Sequence, residues 1–257
     1  MPEIQPNSQA PSRATAEHER VSESLRERVE RLEGRLQERV ERLEAQLQAL
    51  RMSTLAERRF ALDGESYAYH VARGNRTWDN ERAVEVPVAW GELQRRGHSE
   101  GVLEVGNVLG HYFDTTHPVL DKYEQDPGVT WNEDIVGFQP PFAPELILSI
   151  STLEHVGHSE RPRDPAKFAT AVDTVTRWLA PGGRLLFTVP LGYNPAVREY
   201  LDRVGAGGAP GTTVRCMRRT TLDNLWGQVE YEEVRDFRYD RPFPCANAIA
   251  FVEVRAR

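Results

Sequence analysis

Between about residues 18 and 58, apolar side chains recur at Val21, Leu25, Val29, Leu32, Leu36, Val40, Leu43, Leu47 and Leu50, separated by Glu, Arg and Gln. Steps of four, four and three keep them on one narrow face of a helix. The run Glu27–Glu33 returns as Glu38–Glu44, eleven residues later. An eleven-residue period predicts a seam that is straight or slightly right-handed rather than a left-handed heptad coil. At 1.5 Å per residue the striped part is roughly 45 Å long. A lone helix would leave that stripe in water, so self-association as a homo-oligomer through residues 21–50 is expected. The alternative is a single helix held by i,i+4 Glu/Arg pairs and packed on its own domain.

Residues 1–17, with Pro2, Pro6 and Pro11 and little apolar content, predict a disordered tail. Residues 59–101 read as an entry segment in which Val84, Val86, Val88 and Trp90 alternate with polar residues. Pro87 interrupts a strand, so an extended approach followed by a short helix is expected. From 102 to 257 the pattern changes to short apolar runs. Val102–Val105, Pro118–Asp121, Val129–Trp131, Leu146–Ile150 and Arg184–Val189 read as buried strands. A helical face from Pro165 to Leu179 is closed by Pro181-Gly182-Gly183. After a Gly-rich loop from Gly205 to Gly211, a strand near 228–238 and the closing run Ala248–Val254 have no crossover helix between them, which predicts an antiparallel pair. Strands alternating with helices imply a doubly wound, mostly parallel sheet with helices on both faces.

Composition narrows the function. A net charge of −7 argues against a nucleic-acid or anionic-membrane partner, and Arg215, Arg218 and Arg219 read as a solvated strand face. Cys216 and Cys245 lack the spacing and the histidines of a metal motif. They read as reduced thiols, and with no apolar leader and no apolar run of spanning length, a cytoplasmic location without a membrane span is expected.

The candidate chemistry follows the strand ends. Val102-Leu103-Glu104-Val105 breaks into Gly106-Asn107-Val108-Leu109-Gly110, a turn in which Gly106 lets a ligand approach the backbone. Asp121 and Glu124 follow the next strand, where a doubly wound sheet presents a carboxylate to a ribose diol. Asp134, Ser151 and His155 follow later strands, so these side chains are expected to converge on one sheet edge. Trp78, Arg82 and Glu85 either close over a ligand or fasten an N-terminal helix to the sheet.

These residues, with Asn132-Glu133-Asp134-Ile135, the run from Leu148 to Val156, and Leu179-Ala180-Pro181-Gly182-Gly183, resemble the class I, Rossmann-like S-adenosylmethionine-dependent methyltransferases over about residues 80–257. The resemblance implies a seven-stranded sheet ending in an antiparallel hairpin and S-adenosyl-L-methionine as cofactor. Glu104 and Gly106, with Asn107 and Gly110 in the same turn, would hold its methionine end. Asp121 or Glu124 would take the ribose hydroxyls, Asp134 and Ile135 the adenine, and Ser151 would border the site. The phrasing from Val102 to Ile135 also resembles a group of such enzymes encoded beside glycosyltransferases.

Two departures from the pattern matter: Val108 stands at the middle glycine, and Ser149-Ile150-Ser151-Thr152 replaces the Asn-Pro-Pro-Tyr associated with nucleobase or glutamine amide methylation. O-methylation of a small-molecule or glycan acceptor is therefore expected, with His155 as general base. Tyr193, Asn194, Trp226 and Asn247, with Tyr239 and Phe243, are candidates for the acceptor pocket, although core packing would explain each equally. The competing readings are a non-catalytic scaffold on the same fold, oligomerised by the helix, and an NAD-dependent dehydrogenase. The latter is disfavoured because the turn is not G-x-G-x-x-G.

Overall fold

A computed structural model describes residues 13–205 and 210–256. The chain falls into two compact units, Met1–Leu50 and Arg51–Arg257.

Helix α1 (Arg13–Ala56) provides the first unit and runs into the second. It starts earlier than the sequence pattern suggests. Residues 13–17, expected to be disordered, are already helical, because the last proline is Pro11 and Ala14 and Ala16 are strong helix formers. The rest of the expected tail, 1–12, lies outside the described residues, as do residues 206–209 of the expected Gly-rich loop.

The second unit begins at Arg51 and buries Leu55. A hairpin follows, β1 (Arg59–Leu62) and β2 (Glu65–Ala68), turned through Asp63 and Gly64, both at positive φ. The short helix expected here is present as α2 (Arg82–Arg96), but it starts earlier, takes in the residues expected to be extended and carries Pro87 inside it. Proline removes one helical N–H, but the carbonyl of Ala83, four residues earlier, accepts a hydrogen bond from the His70 amide at 2.9 Å instead.

The remaining strands are β3 (Val102–Val105), β4 (Val119–Leu120), β5 (Leu146–Ile150), β6 (Arg184–Pro190), β7 (Thr212–Arg219), β8 (Trp226–Val229) and β9 (Ala248–Arg255). They form one seven-stranded sheet in the order β4-β3-β5-β6-β9-β7-β8. Neighbours from β4 to β6 are parallel, and the pairs β6/β9, β9/β7 and β7/β8 are antiparallel. Helices α3 (Lys167–Trp178) and α4 (Pro195–Gly205) cover one face, where Phe168, Val172 and Leu201 join Leu103, Ile147 and Phe187. Helix α2 and the first hairpin cover the other, with Val84 and Phe60 beside Leu148 and Phe251. This is the Rossmann-like architecture expected. A short helix, α5 (Tyr231–Val234), follows β8.

The structure departs from expectation at both ends of the sheet. The closing strand β9 pairs with β6 and β7 rather than with a strand near 228–238, because β7 inserts between β9 and β8. The element expected at Val129–Trp131 shrinks to a single bridge between Leu120 and Trp131. Arg219 is buried rather than solvated: its guanidinium donates to the carbonyls of Asp79, Pro244, Thr221 and Leu222 and lies over Phe243. Among the described residues no helix is long and apolar enough to cross a membrane, and no His, Cys, Asp and Glu group could hold a metal ion.

Candidate functional site

The carboxyl ends of β3, β4 and β5 open onto a hollow of about 490 Å³. Each side chain reaches it through a local feature of the chain. Strand β3 ends at Gly106, whose φ of 86° suits glycine. A Cβ at Gly106 would sit 2.1 Å from the Thr152 hydroxyl oxygen, so the loop after β5 can press against the β3 turn only if residue 106 lacks a side chain. Val108 does not impede the hollow: it adopts φ −114°, needs no glycine, and is buried on the α2 face of the sheet.

After β4, Asp121 closes a tight loop. One carboxylate oxygen accepts from the amides of Tyr123 and Glu124 at 2.8 and 2.9 Å, and the other from the Asn107 amide at 3.3 Å. The Asn132 side chain ties the loop by donating to the carbonyls of Asp121 and Glu124. Glu124 accepts from the Asn107 amide side chain at 2.8 Å and lies 3.1 Å from His111. Both acids line the hollow, as do Gly106 and Ile135.

Asp134 sits in a ring of four charges. Lys122 and Lys167 each bond both Asp134 and Glu160, at distances from 2.6 to 3.0 Å. Burial alone would raise the Asp134 carboxyl, but hydrogen bonds from the two lysines and the Val136 amide outweigh it and hold the group down at about 2. Glu160 is likewise lowered against burial by the two lysines, and Lys122 is raised chiefly by Asp134. Lys122, Asp134 and Glu160 all line the hollow.

His155 stands at its rim. Its Nδ1 lies 3.0 Å from the Ser159 hydroxyl and 3.1 Å from the Tyr193 hydroxyl, and the Tyr193 ring meets His155 and Tyr239 edge-on. Burial, helped by the charges of Arg82 and His158, lowers the imidazole below the usual histidine range. It is therefore neutral at pH 7. Nε2 lies 3.8 Å from Glu154 Oε1, and in the tautomer whose Nδ1–H donates to a hydroxyl it is a proton acceptor.

Beneath His155 lies a buried charge cluster. Arg82 donates to Glu85 at 2.9 Å and to the Ile150 carbonyl at 3.1 Å. Glu154 is 1 % exposed with one carboxylate oxygen lacking a partner, and burial raises it well above the carboxylate range. Arg82 and Glu85 thus fasten α2 to the end of β5, and Trp78 is buried in the core on the same face of the sheet.

Several residues singled out from the sequence lie elsewhere. Glu104 is fully buried and turned from the hollow: one oxygen accepts from the amides of Val108 and Leu109 at 2.9 and 2.8 Å, and the other meets His117 at 2.7 Å. It shapes the turn and is not among the side chains that line the hollow. Asn107 works in the same way, joining the turn to Asp121 and Glu124, and Gly110 is excluded from a side chain by the Asn107 amide oxygen, 2.7 Å from where a Cβ would stand. Ser151, at φ 37°, buries its hydroxyl against Glu85; its neighbour Thr152 lines the hollow in its place.

Of the acceptor candidates, none lines the hollow itself, but Tyr193 bonds His155 and Ser159, which do, and Tyr239 packs against Tyr193. Asn194 caps the start of α4 by accepting from the Ala196 amide and donates to the Glu154 carbonyl. Trp226 is buried on the α2 face and donates to Asn224. Asn247 bonds the backbone of Phe243 and Cys245 and so pins that turn. Sequence reasoning missed Lys122, Tyr123, Val156, Ser159 and Glu160 in the lining. Lys122 follows a singled-out acid and could have been found; Glu160 arrives through an irregular loop with no periodic signal.

No family model matches the chain, and no curated protein matches it. Among solved structures it is similar to the N-methyltransferase NodS from Bradyrhizobium japonicum WM9 in complex with S-adenosyl-L-homocysteine, at 16% identity over 68% of this chain and 93% of that one, with a TM-score of 0.37. It is also similar to an rRNA methylase from Streptococcus thermophilus, at 11% identity over 67% and 97% with a TM-score of 0.42. A third is the magnesium protoporphyrin IX methyltransferase ChlM from Synechocystis PCC 6803 with bound SAM, at 11% identity over 67% and 78% with a TM-score of 0.37. What this chain does has to come from its own site.

Proposed function

We propose that this chain binds S-adenosyl-L-methionine in the hollow beyond β3, β4 and β5 and transfers its methyl group to a hydroxyl of a small-molecule or glycan acceptor. The observation that supports this reading best is the meeting of Gly106, Asp121, Asp134, Ile135 and His155 around one hollow of about 490 Å³, a size that suits a nucleoside-bearing ligand. Asp121 is pre-oriented by three backbone amides, so its remaining acceptor capacity can take a ribose diol without reorganisation. Asp134 and Ile135 border the side where an adenine amine and ring would lie, and the bare backbone of Gly106 leaves room for the methionine end.

The cofactor supplies an activated methyl group on a sulfonium, whose thioether leaves readily. The protein's contribution is then positioning for in-line attack, plus removal of the acceptor proton. Neutral His155 serves as that base through Nε2, and the hydroxyls of Ser159 and Tyr193 fix its ring. The test is methyl transfer from radiolabelled S-adenosylmethionine across a panel of phenols, sugars and glycans. Transfer by the parent chain that His155→Ala lowers by about 10²–10⁴-fold, with cofactor affinity intact, supports the reading. Transfer only to amines, or turnover unchanged by His155→Ala, discards it.

A further inference from the structure

The apolar stripe of α1 is exposed along its length: Val21, Leu32, Leu36 and Leu47 are 54, 62, 63 and 58% exposed. A helix with such a stripe needs a cover, and the charges beside the stripe say what kind. At about 100° per residue, Arg28 and Arg39 fall on one flank of the stripe, each immediately before a stripe valine, Val29 and Val40. Glu33 and Glu44 fall on the opposite flank, each immediately after a stripe leucine, Leu32 and Leu43. Further out, Arg31 and Arg42 lie on the arginine side and Glu30 and Glu41 on the glutamate side. The eleven-residue repeat thus makes one flank basic and the other acidic, with Arg26 the departure on the acidic side.

This asymmetry selects an orientation. In a parallel pair the flank before the stripe on one helix faces the flank after the stripe on its neighbour, so basic meets acidic. In an antiparallel pair each flank meets its own kind, arginine against arginine and glutamate against glutamate, which is repulsive. The spacing agrees: Arg28 to Glu33 and Arg39 to Glu44 are both five residues (33 − 28 = 5; 44 − 39 = 5). That is the offset at which flanking charges of parallel helices in register come together.

We propose that α1 assembles parallel and in register with α1 of further copies of this chain, Arg28 and Arg39 of one copy facing Glu33 and Glu44 of the next. Every chain then leaves the rod at the same end, so the sheet-bearing units of the assembly are tethered together rather than at opposite ends. The proposal stands on the helix alone and survives if the methyl-transfer reading fails.

Light scattering on the full chain tests it with two charge variants: Glu33→Arg with Glu44→Arg, which makes both flanks basic, and Arg28→Glu with Arg39→Glu, which makes both acidic. The parent is expected to associate. Each variant alone should dissociate at least about tenfold more readily, and the equimolar mixture should regain association, which rules out misfolding as the cause. Orientation is read from Leu25→Cys under mild oxidation, with the parent as control for Cys216 and Cys245. A disulfide-linked dimer of Leu25→Cys with itself is expected. A monomeric parent, association indifferent to both charge variants, or cross-linking of Leu25→Cys only with Leu47→Cys would overturn the proposal.

Discussion

Gly106→Ala would add one methyl group at the junction on which the hollow depends. Its Cβ would lie 2.1, 2.6 and 2.7 Å from Oγ1, Cγ2 and Cβ of Thr152. Thr152 is not free to swing away at no cost, because its hydroxyl donates to the Ile150 carbonyl at 3.1 Å. The overpacking costs about 1–3 kcal/mol. Holding an alanine at φ 86° adds about 1–2 kcal/mol. A loss of roughly 2–5 kcal/mol follows, which in a unit of this size lowers Tm by roughly 5–15 °C.

The two contributions separate in a second background. Thr152→Ala removes two of the three contacts, so Gly106→Ala in that background should recover part of the overpacking cost and none of the backbone cost. Urea unfolding of the four proteins gives the coupling between the two sites. A Gly106→Ala cost below about 1 kcal/mol, or zero coupling to Thr152→Ala, would refute the claim that the two loops meet as described.

Other consequences are smaller but as specific. Asp134 is depressed from 3.8 to about 2, so its stabilisation is complete above the unfolded value and is lost as pH falls through about 4 towards 2; for a group about a third exposed this amounts to about 1 kcal/mol after solvent screening. Asp134→Asn should therefore flatten the acid limb of a stability–pH curve, and an unchanged limb would contradict the ring's role. Because the His155 imidazole is lowered from 6.5, turnover that uses it as a base should hold down to about pH 6.5 and fall only in more acidic buffer; a profile falling already near pH 8 would point to another base. Glu104→Gln places a donor against either two amides or His117 and should cost about 2–3 kcal/mol in urea unfolding, whereas Asn247→Ala should cost about 1–3 kcal/mol while leaving the KM for the cofactor unchanged.

The sheet was legible because its inner strands bury both faces and so read as apolar runs: Leu146–Ile150 and Arg184–Pro190 need no tertiary knowledge to recognise. Acids at strand ends were legible for a topological reason, since Asp121 and Glu124, which follow β4, had to emerge at one edge wherever their side chains then turned; Asp134 reaches the same hollow from the loop after the single bridge at Trp131. The direction in which a side chain turns was not legible. Glu104 and Ser151 occupy the expected places in the chain, yet their oxygens are consumed by Val108, Leu109 and His117 in one case and Glu85 in the other.

A helix was expected where α2 lies, but Pro87 hid its extent, because the carbonyl it orphans is rescued by His70, an amide from outside the helix. The first hairpin went unread, although Asp63-Gly64 at its turn is a local signal for one. The insertion of β7 between β8 and β9 is a long-range pairing that no local pattern encodes.

The central claim is that carboxylates from successive strand ends hold an adenosyl sulfonium in one hollow. Titration calorimetry tests it most directly, with S-adenosylmethionine, S-adenosylhomocysteine and NAD run against the parent chain and against Asp121→Asn. Heat of binding is expected for the first two ligands and none for NAD, with affinity for S-adenosylmethionine weakened at least about tenfold by Asp121→Asn. A parent chain that takes up neither sulfur ligand, or that binds them equally well without the Asp121 charge, would contradict it.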